Sequence, residues 1–412
     1  MKKILVVGGG PAGMTAALTA AQNGAAVTLL EKMPRCGKKL SITGKGRGNI
    51  TNTASISDMI KNTPGNGAFL NSALRAFDNK AVINLFESLG VPTKTERGGR
   101  VFPASDRAAD IVNALIDALK ENRVNIVTET KIERLIVENG KVCGAIAKNG
   151  ADFAADAVIV AAGGASYPAT GSSGDGARLA AAVGHTVVPL LPALVPLETE
   201  EEWVKTAAGL TLKNVRATLI IDGKKCQSLF GEMLLAHFGV TGPIILSLSR
   251  EAVFALAAKK FVEIELDLKP ALDEATLDAR LQREFNDHKK QAVKNVMSAL
   301  LPGKLIAPVL DAAYLSDEKT AGQITRQERH RLLKTLKALP LTVTAARSFA
   351  EAIVTAGGVS VKEIDPKTME SKLVTGLYFA GETIDIDAFT GGFNLQAAFA
   401  TGHAAGLWAA QR

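Results

Sequence analysis

Two glycine-rich stretches hold the residues whose types and spacing could do chemistry. One is Gly8-Gly9-Gly10-Pro11-Ala12-Gly13, a G-x-G-x-x-G run. The other is TGKGRGNITN, residues 43 to 52, with three glycines, two cations, several small polar residues and Ile50 as its sole apolar member. Loops of this kind let backbone approach a ligand closely and hold negative charge. That charge could be a nucleoside triphosphate, a nucleic-acid backbone or the pyrophosphate of a dinucleotide. The triphosphate reading fails on spacing. A phosphate-binding P-loop needs four residues between its first glycine and Gly-Lys-Ser/Thr, and here Gly46 stands where the hydroxyl should be. The nucleic-acid reading lacks aromatic residues nearby on which bases could stack.

The dinucleotide reading has the right context. KILVV precedes the glycines as a short buried strand, and PAGMTAALTAAQNG follows as a helix with Pro11 at its start and Gly24 after its end. Gly8 makes the tight turn, Gly10 admits the pyrophosphate, and Gly13 permits close helix–strand packing. The helix N-terminus, opening at Pro11 and Ala12, offers free N–H donors and about half a positive charge. Glu31 closes the next strand near the roughly 20-residue spacing at which an acid accepts hydrogen bonds from ribose hydroxyls. Its charge also disfavours a 2′-phosphate, and Lys32 follows it.

Distal residues select FAD over NAD. GLYFAGETID, residues 376 to 385, reads as a second buried strand ending in Gly381-Glu382, with Asp385 just beyond. Thr390-Gly391-Gly392-Phe393-Asn394-Leu395 then opens a helix. A carboxylate at a strand end suits ribitol hydroxyls, and successive glycines entering a helix suit the ring of a flavin, which is anionic when reduced. NAD has no ribitol and needs no such half. The basic stretch follows the acid-ending strand, so a run from Lys38 to Thr51 covers the pyrophosphate and reaches the flavin. Its candidates are Gly37, Lys38, Lys39, Ser41, Gly46, Arg47 and Asn49. Ile132, opening a β-like run, and Ala162-Gly163, where AVIVAAGG meets its glycines, complete the cofactor set.

The elements that must position these residues are legible in outline. DRAADIVNALIDALKEN reads as an amphipathic helix with Ala109, Val112, Leu115, Ile116 and Leu119 at helical spacing. Ala12, Gly13, Ala16 and Ala17 are small enough for the first helix to lie against a sheet. From about residue 190 the pattern changes: Pro189, Pro192 and Pro196 punctuate a boundary, and RATLIIDG, FVEIELDL and LPLTVTA read as strands without parallel-type crossovers. The expected fold class is α/β: a Rossmann-like FAD-binding domain, discontinuous and glutathione-reductase/hydroxylase-like, interrupted by a small β-barrel domain and a helical insertion. The expected segments are 1–190 and 356–412 for the FAD-binding domain, 191–270 completed by about 338–355 for the barrel, and 271–337 for the insert.

The chain has 412 residues, 47% hydrophobic, with a net charge of +7 that is spread rather than gathered in a tail. This suits an enzyme of anionic nucleotides better than a nucleic-acid partner. Cys36, Cys143 and Cys226 form neither a C-x-x-C pair nor a metal-ligand pattern, so no metal is expected and a reducing, cytoplasmic setting fits. No signal peptide and no membrane span are read.

The chain resembles the BaiN-like family of FAD-dependent oxidoreductases, also labelled the aminoacetone-oxidase family. The resemblance runs nearly end to end through GGGPAG, GKKLSITGKGRGNITN, RVFPASDRAADIV, AAGGASYPATGSSGDG, GEMLLAHFGVTGPIILSLS and GGVSVKEIDPKTMESKLVTGLYFAGETIDIDAFTGGFNLQAAFATG. It implies non-covalent FAD held by Arg47, Asn49, Glu382, Gly391, Gly392, Asn394 and Leu395. One departure is that family members commonly carry Arg-Cys-Asn where this chain has Arg47-Gly48-Asn49. The expected activity is reduction of the flavin by NAD(P)H, docking transiently because no second G-x-G-x-x-G is present, and hydride transfer to an activated C=C of a small molecule. His237 and Tyr167 are the candidate proton donors. An amine oxidase using dioxygen is the alternative within the class, and a flavin-containing RNA-binding protein the alternative outside it. Substrate and oligomeric state are not legible.

Overall fold

The computed structural model describes residues 1–411, which divide into two compact units, 1–192 with 349–411, and Ala193–Ser348. The fold of the first is the expected Rossmann-type FAD-binding α/β domain. Its sheet has five strands in the order Leu377–Phe379, Ala157–Val160, Lys3–Val7, Ala26–Leu30, Asn125–Val127, with every pairing parallel. The central strands are near-continuous Val, Ile and Leu because they are covered on both faces, with Ala157–Val160 buried at every position. The first strand is buried at all of Ile4, Leu5, Val6 and Val7.

The register brings the carboxyl ends of these strands to one edge. Val7 pairs with Leu30 on one side and Val160 on the other, and Val160 pairs with Phe379. Gly8 N then donates to Leu30 O at 2.8 Å, Ala161 N to Val7 O at 2.8 Å, and Ala380 N to Val160 O at 3.1 Å. In open parallel sheets ligands bind at this edge.

The first helix, Pro11–Gln22, differs from the expected packing. Gly13 does face the sheet: a Cβ there would lie 1.8 Å from Gly8 O and 3.4 Å from the Ala161 side chain. Ala12 and Ala16, however, meet the terminal helix, Phe393–Gln411. A Cβ on Gly402 would lie 2.3 Å from Ala12 O, and one on Gly406 would lie 2.3 Å from Ala16 O. Both helices are uniformly apolar and small there, so composition alone could not say which neighbour each face meets. The amphipathic helix runs Ala108–Glu121 and buries Ala108, Ile111, Val112, Leu115, Ala118 and Leu119. The expected Ala109 is exposed, because the buried stripe is offset by one position.

This unit also holds two antiparallel three-stranded sheets, one of Ile132–Glu138, Lys141–Ala147 and Asp152–Ala154, the other of Thr51–Asn52, Arg100–Pro103 and Thr93–Glu96. In the second unit six strands close an antiparallel barrel: Leu197–Thr199, Gly239–Thr241, Lys224–Ala236, Thr211–Ile221, Val262–Asp267 and Leu339–Ala346. Closure leaves no unpaired edge. Between its last two strands come Glu274–Asp287, Val293–Val296, Gly303–Ala312 and Arg326–Lys337, the last opened by a Thr325/Glu328 capping box. Among the described residues no helix is long and apolar enough to cross a membrane.

Candidate functional site: the carboxyl edge of the parallel sheet

The sheet edge assembles residues from both ends of the chain. Gly8 turns at φ +109°, and a Cβ there would sit 2.4 Å from Ala161 O, so only glycine lets the first strand lie against Ala161-Ala162. Gly10 has open space where its Cβ would be, with nothing within 4 Å. Gly381 meets the first helix directly, since its Cβ would lie 2.7 Å from the Ala12 side chain. The distal Gly-Glu turn and the proximal fingerprint are therefore neighbours.

Glu31 is held inward. Its Oε2 accepts Gly9 N–H at 2.7 Å and its Oε1 accepts Met33 N–H at 2.7 Å. Each oxygen keeps a second lone pair for a ribose hydroxyl. Cys36 lies beneath the same turn. Burial, with Glu31 beside it, pushes its thiol up to about 12. Lys32 pairs with Asp175 at 2.5 Å and with Ser173. Burial raises the Asp175 carboxyl, but the hydrogen bonds from Lys32 and Lys131 outweigh it and hold it below its ordinary value. Ile132 is buried, and its carbonyl accepts from Arg178 at 3.1 Å. Gly163 N donates to Thr383 Oγ1 at 3.1 Å, joining the Ala162-Gly163 turn to the distal half.

The basic loop makes contacts within the protein that its sequence does not declare. Gly37, at φ +75°, opens a short helical turn, Lys38–Ser41. Ser41 Oγ donates back to Lys38 O at 2.7 Å, and Lys38 Nζ reaches Ala169 O at 3.5 Å. Lys39 Nζ donates to Glu382 Oε2 and Ser166 Oγ, each at 2.6 Å. Glu382 Oε1 accepts Thr355 N–H at 2.6 Å and the Ser166 hydroxyl at 3.1 Å. The carboxylate expected to face ribitol is thus already ion-paired. Arg47, expected to offset phosphate charge, clasps Glu96 and Asp106 and lies 4.3 Å above the Phe102 ring. Those carboxylates raise its already high pKa; Glu96 is held low by Arg47, and Asp106 by the hydrogen bond from Lys94 first and then by Arg47. Gly46, with open space beside it, and Lys45 remain exposed at the loop tip.

Asn49 and Asn394 also make protein contacts. With its amide oriented to suit its neighbours, the Asn49 oxygen accepts Gly392 N–H at 2.9 Å, and its nitrogen donates to Thr51 O and Val101 O at 3.0 and 3.2 Å. Asn394 brackets the preceding loop, accepting Ala388 N–H at 2.9 Å and donating to Ala388 O at 2.7 Å. Asp385 accepts from Asn66 Nδ2 at 2.9 Å. Gly391 and Gly392 turn at φ +125° and +100° into the helix, where Phe393 is buried and Leu395 half-buried. Sequence reasoning did not single out Thr51, Asn52, Ser166, Thr355 or Gln396. The one signal available was the polar run NITN, whose last two residues form a strand.

Tyr167 lies on the loop after Ala162-Gly163, with φ +52° and its N–H donating to Phe349 O at 2.9 Å. A left-handed conformation at an aromatic residue is strained and is held by its surroundings. His237 belongs to the second unit. It is exposed in the turn between Lys224–Ala236 and Gly239–Thr241, its ring edge-on to Phe238 at 5.0 Å.

These residues fit an extended dinucleotide: a cleared space at Gly10, carboxylate lone pairs at Glu31, and two helix N-termini. Fold and site define a Rossmann-type FAD-binding oxidoreductase. The chain belongs to the family described as HI0933-like protein Rossmann domain, whose model matches residues 2–408. It is similar to a 3-dehydro-bile acid delta(4,6)-reductase of Clostridium scindens, 32% identical with all of both chains covered. It is also similar to a ribosomal RNA dihydrouridine synthase of Escherichia coli, 28% identical over 96% of this chain and 95% of that one. Among solved structures, a 3-ketosteroid-delta4-(5alpha)-dehydrogenase from Rhodococcus jostii shares the fold with a TM-score of 0.53, at 17% identity over 100% of this chain and 97% of that one.

Proposed function

We propose that this protein binds FAD non-covalently along the carboxyl edge of its parallel sheet, takes hydride from NAD(P)H and reduces a C=C conjugated to a carbonyl. The observation that carries this reading is the convergence of Gly8–Gly13, Glu31 and Ala162-Gly163 with Gly381-Glu382 and Gly391-Gly392. The relatives add the reaction type. A delta(4,6)-reductase saturates carbon–carbon double bonds, and a dihydrouridine is a uridine whose C5=C6 bond has been saturated. In a C=C directly conjugated to a carbonyl, hydride adds at the carbon β to the carbonyl and a proton at the α carbon.

FAD, when bound, supplies the hydride chemistry. The chain supplies the rest. The first helix N-terminus and Gly10 receive the pyrophosphate. Glu31 takes ribose hydroxyls on its free lone pairs. The Lys39–Glu382 pair holds the basic loop against the distal half. Tyr167 Oη is the proposed proton donor to the substrate, on a backbone fixed by Phe349. His237 is the alternative donor.

The purified protein is expected to be yellow, and NADH or NADPH to bleach it without oxygen. A steroid enone should then restore the colour in stoichiometric amount. A flavin that stays oxidised with both donors would overturn the reductase reading and leave an amine oxidase using dioxygen.

A second reading takes a uridine of ribosomal RNA as the acceptor. It is favoured by near-full-length similarity to two ribosomal RNA dihydrouridine synthases and by the net charge of +7. Dihydrouridine formed in ribosomal RNA transcripts treated with the reduced protein would support it, and steep weakening of RNA binding with salt would accompany it.

A further inference from the structure

The Gly391-Gly392 turn has no side chains of its own to fix it, and both residues occupy backbone regions where glycine is freest. Its anchors come from the other end of the sequence. Asn52 Nδ2 donates to Gly391 O at 3.0 Å, and Asn52 itself is only 4% exposed. The Asn49 amide oxygen accepts Gly392 N–H at 2.9 Å. Thr51 Oγ1 donates to Gln396 Oε1 at 2.6 Å, and Gln396 Nε2 in turn donates to Phe77 O at 2.9 Å. A Cβ on Gly392 would stand 2.3 Å from Thr51 O, so the turn is pressed directly onto this segment. Asn52 is fixed from behind as well, by Gly98 O and by the Ala54 N–H.

The contacts have a selective consequence. Gln396 N donates to Gly392 O at 3.0 Å, the first bond of the terminal helix. The N–H groups of Phe393, Asn394 and Leu395 therefore have no partner within the helix. Asn49 takes the Gly392 N–H and so sets where the open run of donors begins.

We infer that Asn49, Thr51 and Asn52 are positioning residues that hold the Gly391-Gly392 turn in register so that the open N–H groups after it meet the flavin end of the cofactor. The inference rests on the FAD reading above and assigns the polar half of GRGNITN to shaping the flavin subsite, with no direct charge on phosphate. Thr51→Val removes the hydroxyl and leaves the Gln396 oxygen unpaired. Asn52→Ala releases the Gly391 carbonyl. Thr51→Ser keeps the hydroxyl.

The test is titration of each protein, stripped of cofactor, with FAD in the oxidised state and again after chemical reduction, together with thermal unfolding without FAD. Thr51→Val and Asn52→Ala are each expected to weaken FAD binding about tenfold, the equivalent of one lost buried hydrogen bond. The loss should be larger for reduced FAD, and the oxidised flavin spectrum should shift. Thr51→Ser should restore parental affinity. Failure of the parent to bind FAD overturns the functional reading and this inference together. A parent that binds while Thr51→Val and Asn52→Ala bind equally well, or a Thr51→Ser as weak as Thr51→Val, overturns this inference alone. Variants whose FAD-free unfolding is lowered while affinity and spectrum are unchanged show a merely structural role and overturn it too.

Discussion

Replacing Gly402 or Gly406 by alanine sets two known effects against each other. In an isolated helix the change is favourable by about 1 kcal/mol, because glycine loses more backbone entropy than alanine. Here each new Cβ would stand 2.3 Å from a carbonyl oxygen of the first helix, Ala12 O or Ala16 O. Unstrained heavy-atom contacts sit near ~3.5 Å. The helices would have to part by about 1 Å, and a backbone oxygen, unlike a side chain, cannot rotate away. Overpacking of this kind costs about 1–3 kcal/mol or more. The clash outweighs the propensity gain, and each variant should lose up to about 2 kcal/mol net. The same movement displaces the first helix, which Gly381 touches at Ala12, so FAD retention should fall as well. Gly303 is the control. It opens a helix, and a Cβ there would meet nothing within 4 Å. Gly303→Ala should be neutral or slightly stabilising. Urea unfolding of the three variants decides the matter. Gly402→Ala and Gly406→Ala proteins as stable as the parent would refute the claim that backbone contact sets this helix pair.

Three further outcomes follow from single residues. His185 is buried, with Nε2 2.9 Å from Ser371 Oγ, and burial holds its pKa below the ordinary value despite Glu363 at 3.2 Å. The unfolded chain therefore binds this proton first. Stability is whole above about pH 6.5 and falls as pH drops below it, by at most about 1.4 kcal/mol per pH unit for this one group. Urea midpoints from pH 8 to 5 check the sign, and a stability that rises on acidification over that window contradicts it. Cys36, with its thiol pushed up to about 12, should resist alkylation in the folded protein at pH 8 while the exposed Cys226 reacts; peptide mapping distinguishes the sites. Glu382→Gln places an amide where Lys39, Thr355 N–H and Ser166 all donate, leaving donors opposed at a site only 21% exposed. A loss of about 1–3 kcal/mol in urea unfolding is expected, together with weaker FAD uptake.

The proximal half of the site was legible because its physics is local. A buried strand, a turn that only glycine can make and a helix start lie within a few residues of one another, so Gly8, Gly10 and Gly13 declare themselves by spacing. The barrel strands were likewise visible as alternating runs, since Val262–Asp267 buries every second side chain. What sequence could not give was partnership across the chain. Arg47 reads as a phosphate cation until the fold brings Glu96 and Asp106 beside it. Asn49 reads as a ligand contact until Gly392 arrives from the far end of the sequence. Asn394 reads the same way, yet its amide closes the loop just before it.

The Asn49 contact has a physical cause. A glycine turn that presents N–H groups to a ligand has no side chain with which to hold itself, so polar residues elsewhere must do so. Evolutionary substitution at such residues would leave the glycines intact and move only the donors. The Lys39–Glu382 pair and the Asn52–Gly391 bond both join the residues just after the second strand to those just before the terminal helix. The helix pair adds a second fastening, through Ala12 of the first helix and Gly402 of the terminal helix. The distal half is thus fastened to the proximal half on two sides of one edge. Tests that loosen either side should therefore converge on the same observable, the affinity for FAD, whereas loosening the barrel should not. A barrel substitution such as His237→Ala, exposed in its turn, gives that contrast: unchanged FAD affinity is expected, with any loss confined to turnover. Loss of FAD affinity in that variant, equal to that of Asn52→Ala, would mean that the cofactor grip is not confined to the sheet edge.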